Sequence, residues 1–333
     1  MLEAPLASRT RAGVPAAGAA FASVSGVVPD AVVPNARIAH RLGVEERWIE
    51  TRTGIKERRV VRDGERMLDL AVRAGHAALA GAGIDAVAVD MLLLATTSHD
   101  ELVPNGAPQV AAELGAVHAG AIDVGAACTG FVAAVELGAA LIESRRAARV
   151  LVIGADVMSR HVDPDDRSTA ALFGDGAGAA LLVSSMPGRI GPTVVGADGE
   201  GATLIRAPHP RALIEMQGPE TFAQAVDRLC EATVDAAALS GIASLEDIDL
   251  FVYHQANARI LRAVGERLGL TAERVPDYIS SYGNTSAASV PIALAEAERD
   301  GLLMPGMRVL IGAFGAGLTW GATVVEWGVP PDA

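Results

Sequence analysis

Apolar positions along this chain follow two rhythms. Short unbroken runs at Met91–Ala95, Val150–Ile153, Ala179–Val183, Leu250–Tyr253, Val309–Ile311 and Thr323–Val325 predict strands buried on both faces. Between them, apolar residues recur at helical spacing over Met67–Ala80, Gly130–Ser144, Thr221–Leu239, Ala258–Leu268 and Ala287–Asp300. Such alternation predicts an α/β chain, with a mostly parallel sheet covered by helices on its faces.

The order of elements occurs twice. Asp90-Met-Leu-Leu-Leu is matched by Asp249-Leu-Phe-Val-Tyr, and Glu113-Leu-Gly by Arg267-Leu-Gly. Arg149-Val-Leu-Val-Ile is matched by Arg308-Val-Leu-Ile-Gly. Cys128 and Asn284 then stand at comparable places, each ahead of a helix of small residues. Any α/β chain alternates strands and helices, so the repeat is an expectation. It divides the chain into an N-terminal extension at 1–20, a first half at 21–186 and a second at 187–333. Cys128 falls in one half and His254 and Asn284 in the other, which places a ligand cleft between them.

Composition narrows the picture. With 333 residues the chain exceeds a typical single core. Hydrophobic residues make up 50% but aromatics only 4%, so Ala, Val, Leu and Ile must build the interior, with glycine where elements approach closely. The net charge of −13 argues against nucleic acid or an anionic membrane as a partner. No apolar stretch approaches the roughly 18 residues that would suggest a membrane span. The first 20 residues are rich in Ala, Gly and Pro and lack the dense apolar run of a signal peptide; they read as a flexible extension. Cys128 and Cys230 sit in unlike contexts and give no disulfide framework, so a cytoplasmic enzyme is the simplest expectation.

Three segments carry chemistry. Asp123-Val-Gly-Ala-Ala-Cys-Thr-Gly-Phe places Cys128 at the start of a strongly apolar helix, whose unpaired N–H groups and dipole favour a thiolate. Tyr253-His-Gln-Ala-Asn places His254 at the end of a strand, where α/β enzymes put functional groups. Tyr282-Gly-Asn-Thr-Ser holds Asn284. Taken singly, a cysteine is more often a packed hydrophobe, a strand-end histidine is as often structural, and a Gly-Asn is a turn or cap. Cys230, on the apolar side of a helix with Phe222, Val226 and Leu229, is assigned to packing. The remaining histidines lack metal-ligand spacing, and Gly174-Asp-Gly-Ala-Gly-Ala lacks the Lys-Ser/Thr ending of a phosphate loop. Neither a metal nor a nucleotide cofactor is implied.

Read together, these segments resemble the β-ketoacyl-acyl carrier protein synthase III family, condensing enzymes of the thiolase fold. The likeness includes Glu46-Arg-Trp-Ile-Glu-Thr-Arg-Thr-Gly-Ile, Asp163-Pro-Asp-Asp-Arg, Phe173-Gly-Asp-Gly-Ala-Gly-Ala, His254-Gln-Ala-Asn-Ala-Arg, Gly283-Asn-Thr-Ser-Ala-Ala-Ser-Val-Pro and Ala313-Phe-Gly-Ala-Gly-Leu-Thr-Trp-Gly. The resemblance implies two duplicated halves in a five-layer α-β-α-β-α sandwich, and a homodimer. It implies an acyl-CoA primer, a malonyl thioester on carrier protein or coenzyme A, and an acyl-cysteine intermediate on Cys128, with His254 and Asn284 stabilising an enolate. Backbone N–H groups of Cys128 and Ala316 would form the oxyanion hole. Trp48, Arg52, Arg167, Gly218 and Asn257 would bind coenzyme A; Gln255, Arg259 and Arg262 would meet the carrier protein; Val103, Phe173 and Phe314 would shape the acyl pocket.

Departures from the family pattern qualify this. Gln224 and Glu266 stand where many relatives have basic docking residues, which should slow steered association with an acidic carrier. Pro219 stands near the pantetheine arm, Ala316 in a turn that is commonly all glycine, and Val103 where a large aromatic would limit primer length. An acyltransferase of the same fold, acting on a hydroxyl or amine, is the alternative; a cysteine hydrolase and an inactive carrier-binding scaffold belong to other classes. A degradative thiolase is disfavoured because the turn Gly315-Ala-Gly-Leu has no second cysteine.

Overall fold

The computed structural model describes residues 18–185 and 190–328. In chain order the first half contributes β1 (Gly18–Val27), α1 (Met67–Ala82), β2 (Met91–Ala95), α2 (Gly106–Leu114), β3 (Gly120–Val124), α3 (Gly130–Glu143), β4 (Arg149–Val157) and β5 (Asp175–Ser185). The second contributes β6 (Val194–Ala197), α4 (Gly218–Leu239), β7 (Leu250–Tyr253), α5 (Ala258–Leu268), α6 (Ser289–Arg299), β8 (Arg308–Gly315) and β9 (Thr319–Glu326).

The first sheet has the order β1-β5-β4-β2-β3, in which β4, β2 and β3 are parallel and β5 is antiparallel to both neighbours. The second has the order β7-β8-β9-β6, with β7 parallel to β8 and β9 antiparallel to both neighbours. Replacing β1, β5, β4 and β2 by β6, β9, β8 and β7 superposes the two orders; the second sheet has no counterpart of β3. The duplicated topology expected from the sequence is therefore present.

Every run expected to be a strand lies within an observed one, and the expected helices correspond to α1, α3, α4, α5 and α6. β4, β5, β8 and β9 extend past the apolar runs, because glycine and aspartate at Gly154, Asp156, Asp175 and Gly176 still occupy the ladder. β1, β3 and β6 are edge strands that the apolar pattern does not announce, unlike the edge strand β7: Ser23, Ser25 and Gly26 in β1, Asp123 in β3 and Gly196 in β6 interrupt their apolar runs. β1 begins at Gly18 with Ala19 and Ala20 fully buried, so residues 18–20 belong to the first sheet rather than to an extension. The rest of the expected extension and the half boundary at 186 and 187 lie outside the described residues.

Three apolar clusters define the layers. In the central one, α3 and α6 lie between the sheets, with Phe131, Val135, Val290 and Leu294 against Val150 and Val152 on one side and Val252 and Ile311 on the other. α1 and α2 cover the outer face of the first sheet, and α4 and α5 that of the second. Burial of both sheet faces accounts for the unbroken apolar runs. An insertion between β1 and α1, with helices Asn35–Leu42 and Glu46–Thr53 and the strand pair Val32–Pro34 and Glu57–Arg59, lies beside α5.

Small residues let the halves meet. An ideal Cβ on Gly154 of β4 would stand 2.3 Å from the carbonyl oxygen of Ala287, and one on Gly315 of β8 would stand 2.9 Å from the Cys128 nitrogen. Gly154→Ala therefore should cost about 1–3 kcal/mol, because the obstructing atom is backbone. Gly199→Ala, with nothing within 4 Å of its Cβ, should stay within about 0.5 kcal/mol of the parent. Urea unfolding of the two variants checks the difference.

Candidate active site

Cys128 lies in a 3-10 turn, Ala127–Thr129, that feeds α3. Ala127 has φ +46°, a left-handed conformation that costs a non-glycine residue about 1–2 kcal/mol. An equivalent turn, Ser286–Ala288, feeds α6, with Ser286 at φ +52°. In both turns the third residue's N–H donates to the residue before the turn, Thr129 to Ala126 (3.0 Å) and Ala288 to Thr285 (3.1 Å). This matching makes Ala287 the counterpart of Cys128. Asn284, three residues earlier, corresponds to Gly125, which refines the placement read from sequence.

The two turns touch. Cys128 Sγ is 3.5 Å from Ser286 Oγ, and the Ser286 N–H donates to Asn284 Oδ1 at 2.9 Å. With Oδ1 engaged as acceptor, the Asn284 Nδ2 is left as the donor of that side chain. Its backbone is held by Leu172 and Gly174 on either side of Phe173, through Asn284 N–H to Leu172 O (2.9 Å) and Gly174 N–H to Asn284 O (3.0 Å).

His254 follows β7, and its N–H donates to Gly312 O of β8 at 2.8 Å. β8 then runs from Gly312 to Gly315, which packs on the Cys128 backbone. Thr319 closes this corner: its Oγ1 lies within hydrogen-bond distance of Ala126 O, Ala316 O and Thr129 Oγ1, at 3.3, 3.1 and 3.1 Å. On the other side, the Gln255 N–H donates to Ser289 Oγ at the start of α6 (2.6 Å). The strand end that carries His254 is thus tied to both turns.

Desolvation governs both titratable groups. His254 is buried, its Nδ1 has no partner among the described residues, and burial lowers its pKa to about 3, so the imidazole is neutral at ordinary pH. Cys128 is half-buried, yet desolvation pushes its thiol up to about 11; the Ser286 hydrogen bond lowers it and the Asp156 charge raises it further. The thiolate expected from the helix terminus is therefore not the resting form. The small apolar residues that leave room beside the sulfur also strip it of water.

Of the residues expected to bind coenzyme A, Trp48, Arg52, Arg167 and Asn257 gather around the insertion. The Arg52 guanidinium lies 4.5 Å above the Trp48 ring. Arg167 donates through Nε and Nη2 to Leu42 O (3.2 and 2.9 Å). Asn257 caps α5 by accepting from the Arg259 N–H (2.9 Å) and donates to Arg52 O (3.1 Å). Gly218 opens α4, and Pro219 follows in a first turn where a missing N–H costs nothing. Arg259 and Arg262 are exposed on α5, whereas Gln255 is not a surface residue. Its Nε2 donates to Tyr253 O and Pro276 O (2.8 and 3.3 Å) and its Oε1 accepts from Tyr278 N–H (2.9 Å), so no group remains to meet a carrier protein.

Phe173 is buried beside Asn284, but Phe314 packs in the outer cluster of the second half, because alternation along β8 sends it away from the central layer. Val103 is 75% exposed in the loop before α2. Ala316 is half-buried in the turn after Gly315, beside the cysteine. Sequence reasoning missed Ser286, which resembles an ordinary helix cap, and Asp156, which the lone charge in Val150–Val157 signals. No cluster of three or more His, Cys, Asp or Glu suited to a metal occurs among the described residues.

Comparison with known proteins decides the family. Residues 122–199 match the model described as 3-oxoacyl-[acyl-carrier-protein (ACP)] synthase III, and residues 241–327 match its C-terminal counterpart. The chain is 46% identical over 314 residues to β-ketoacyl-[acyl-carrier-protein] synthase III 2 of Streptomyces coelicolor, covering 93% of this chain and 94% of that protein. The chain belongs to the synthase III family. It is similar to the solved 3-oxoacyl-(acyl carrier protein) synthase III of Pseudomonas aeruginosa PAO1, at TM-score 0.90 and 39% identity over 94% of this chain and 100% of that one. It is also similar to the priming β-ketosynthase of the R1128 polyketide pathway, at TM-score 0.91 and 34% identity over 96% and 99%. The fold is thus thiolase-like, and family membership makes the chain a condensing enzyme of the transferase class.

Two pH dependences follow. Below a thiol pKa of about 11, the thiolate fraction rises tenfold per pH unit, so alkylation of Cys128 by iodoacetamide should accelerate about 100-fold from pH 7 to 9 without a plateau. Peptide mass spectrometry separates Cys128 from Cys230. His254 titrates near 6.5 unfolded and about 3 folded. Its contribution to stability is complete above pH 6.5 and is lost at about 1.4 kcal/mol per unit as pH falls toward 3. Denaturation of His254→Gln across pH 4–7 should therefore show a shallower acid limb than the parent.

Proposed function

We propose that the chain condenses an acyl-CoA primer with a malonyl thioester, with loss of carbon dioxide, through an acyl group held on Cys128. The observation that carries this reading is the chain of contacts from Cys128 through Ser286 to Asn284, together with a buried, neutral His254 at the end of the strand that pairs with β8, whose Gly315 packs on the Cys128 backbone. In the first half-reaction the sulfur attacks the thioester carbonyl, the thiol proton leaves with coenzyme A, and the acyl group stays on sulfur. Because the thiol is not ionised at rest, deprotonation accompanies attack. The Cys128 N–H, with Ala316 N–H from the adjoining turn, faces the developing oxyanion.

In the second half-reaction the malonyl carboxylate leaves as carbon dioxide, and its electron pair passes to the thioester oxygen as an enolate. Two neutral donors, the His254 imidazole N–H and the Asn284 Nδ2, suit this charge; a protonated imidazole would not survive the burial. The enolate carbon attacks the acyl-cysteine, the sulfur takes up a proton, and a β-ketoacyl thioester departs. Trp48, Arg52, Arg167, Gly218 and Asn257 would hold coenzyme A, using the indole and guanidinium faces that stack on a purine. Arg259 and Arg262 would receive the carrier protein without Gln255. The open edge of β3, with Ile122 54% exposed and Val117 and Leu137 exposed nearby, favours strand pairing with a second copy, and Val103 would reach toward that copy's acyl pocket.

Cys128→Ala should yield no acyl adduct by intact-protein mass spectrometry after exposure to a panel of acyl-CoAs. Asn284→Ala should acylate at near the parent rate but release carbon dioxide from a malonyl thioester about 100-fold more slowly, the loss typical of one missing oxyanion donor. Equal loss of both half-reactions in the asparagine variant would contradict its role, and acyl transfer to a hydroxyl without carbon dioxide release would replace condensation by simple acyltransfer.

A further inference from the structure

Asp156 lies on β4 with no exposed surface, and both oxygens of its carboxylate accept hydrogen bonds. Its Oδ1 accepts from the Thr97 N–H (2.9 Å) and from Ser98 Oγ (2.8 Å), Thr96 Oγ1 (3.1 Å) and Thr97 Oγ1 (3.3 Å). Ser98 Oγ itself accepts from the Val157 N–H (2.7 Å), which directs its proton to the carboxylate. The second oxygen crosses between the halves: Asp156 Oδ2 accepts from the Ala287 N–H at 3.1 Å. Ala287 is the residue that the repeat matches to Cys128. The carboxylate therefore fills, in one half, the place that corresponds to the oxyanion hole proposed beside Cys128 in the other.

We infer that Asp156 is a positioning residue: it anchors the Asn284–Ala287 turn against the nucleophile, so that Asn284 is in place for the second substrate. Ala287 is one residue from Ser286, whose hydroxyl faces the sulfur, and three from Asn284, whose amide faces the second substrate. The inference rests on the reading of Cys128 as the acylated residue.

Iodoacetamide alkylation of Cys128 as a function of pH tests it without any acyl substrate, alongside carbon dioxide release from malonyl-CoA. Asp156→Asn keeps the shape, removes the charge and sets an amide against donors. Decarboxylation should fall about tenfold or more as the Asn284 turn loosens, while alkylation of Cys128 stays within about twofold of the parent at each pH, because the turn before α3 keeps its own contacts. Ser98→Ala, which removes one donor to the same carboxylate, should give a milder form of the same split and remains measurable if Asp156→Asn does not fold. Equal loss of alkylation and decarboxylation would reduce Asp156 to general structural support and overturn the inference, as would unchanged decarboxylation. Acylation of a residue other than Cys128 in the parent would overturn the functional reading while leaving the split between the two assays observable.

Discussion

Close approach of backbone to backbone across the two halves is the constraint on which the site depends. Gly154 admits the Ala287 carbonyl, Gly315 admits the Cys128 backbone, and Gly130 packs on Ala95 and Ala287; a methyl group at the first two positions would occupy space already held by backbone. Because glycine and alanine occupy these points of closest approach, the turns before α3 and α6 come within reach of each other. The 3.5 Å contact between Cys128 and Ser286 is a consequence of that packing and not of any strong pairwise attraction. Two left-handed non-glycine residues, Ala127 and Ser286, hold the turns in shape, and the surrounding layers bear the strain.

Burial then sets the chemistry. Burial that keeps His254 neutral also keeps the Cys128 thiol protonated, so neither reacting group is charged at rest. Such a site suits an enolate stabilised by neutral hydrogen bonds, since desolvated donors act on developing charge more strongly than donors in water. Desolvation is likewise the largest cause that raises the Cys128 thiol, at the start of α3.

The repeat is exploited asymmetrically. Both halves present an N–H at the second position of a turn before a central helix. In the half that carries the nucleophile this N–H belongs to Cys128; in the other it belongs to Ala287 and is satisfied by Asp156. A duplicated scaffold thus offers two equivalent anion-binding corners, of which one receives a carboxylate of the chain itself. Asn284 and His254 occupy positions for which the first half has Gly125 and Ala95, so the catalytic set is assembled from unlike residues at related places.

Much of this is legible in the sequence, because periodicity reports two-sided burial directly. The six apolar runs all became strands, the long helices fell where helical spacing placed them, and the motifs around Cys128, His254 and Asn284 marked the ends of those elements. Edge strands β1, β3 and β6 escaped notice because serine, glycine and aspartate interrupt their apolar runs, whereas the edge strand β7 is apolar throughout. The roles given to Gln255 and Phe314 could not be checked in one dimension: whether a polar side chain reaches solvent, or an aromatic faces the central or the outer layer, depends on strand register and on what packs against it. The same holds for the partnership of Asp156 with Ala287, 131 positions apart in the chain and joined only when the halves stack. Residue types and their order determined which chemistry is available here. Only tertiary packing decided which of those groups are dry, which are already satisfied, and which remain for a substrate.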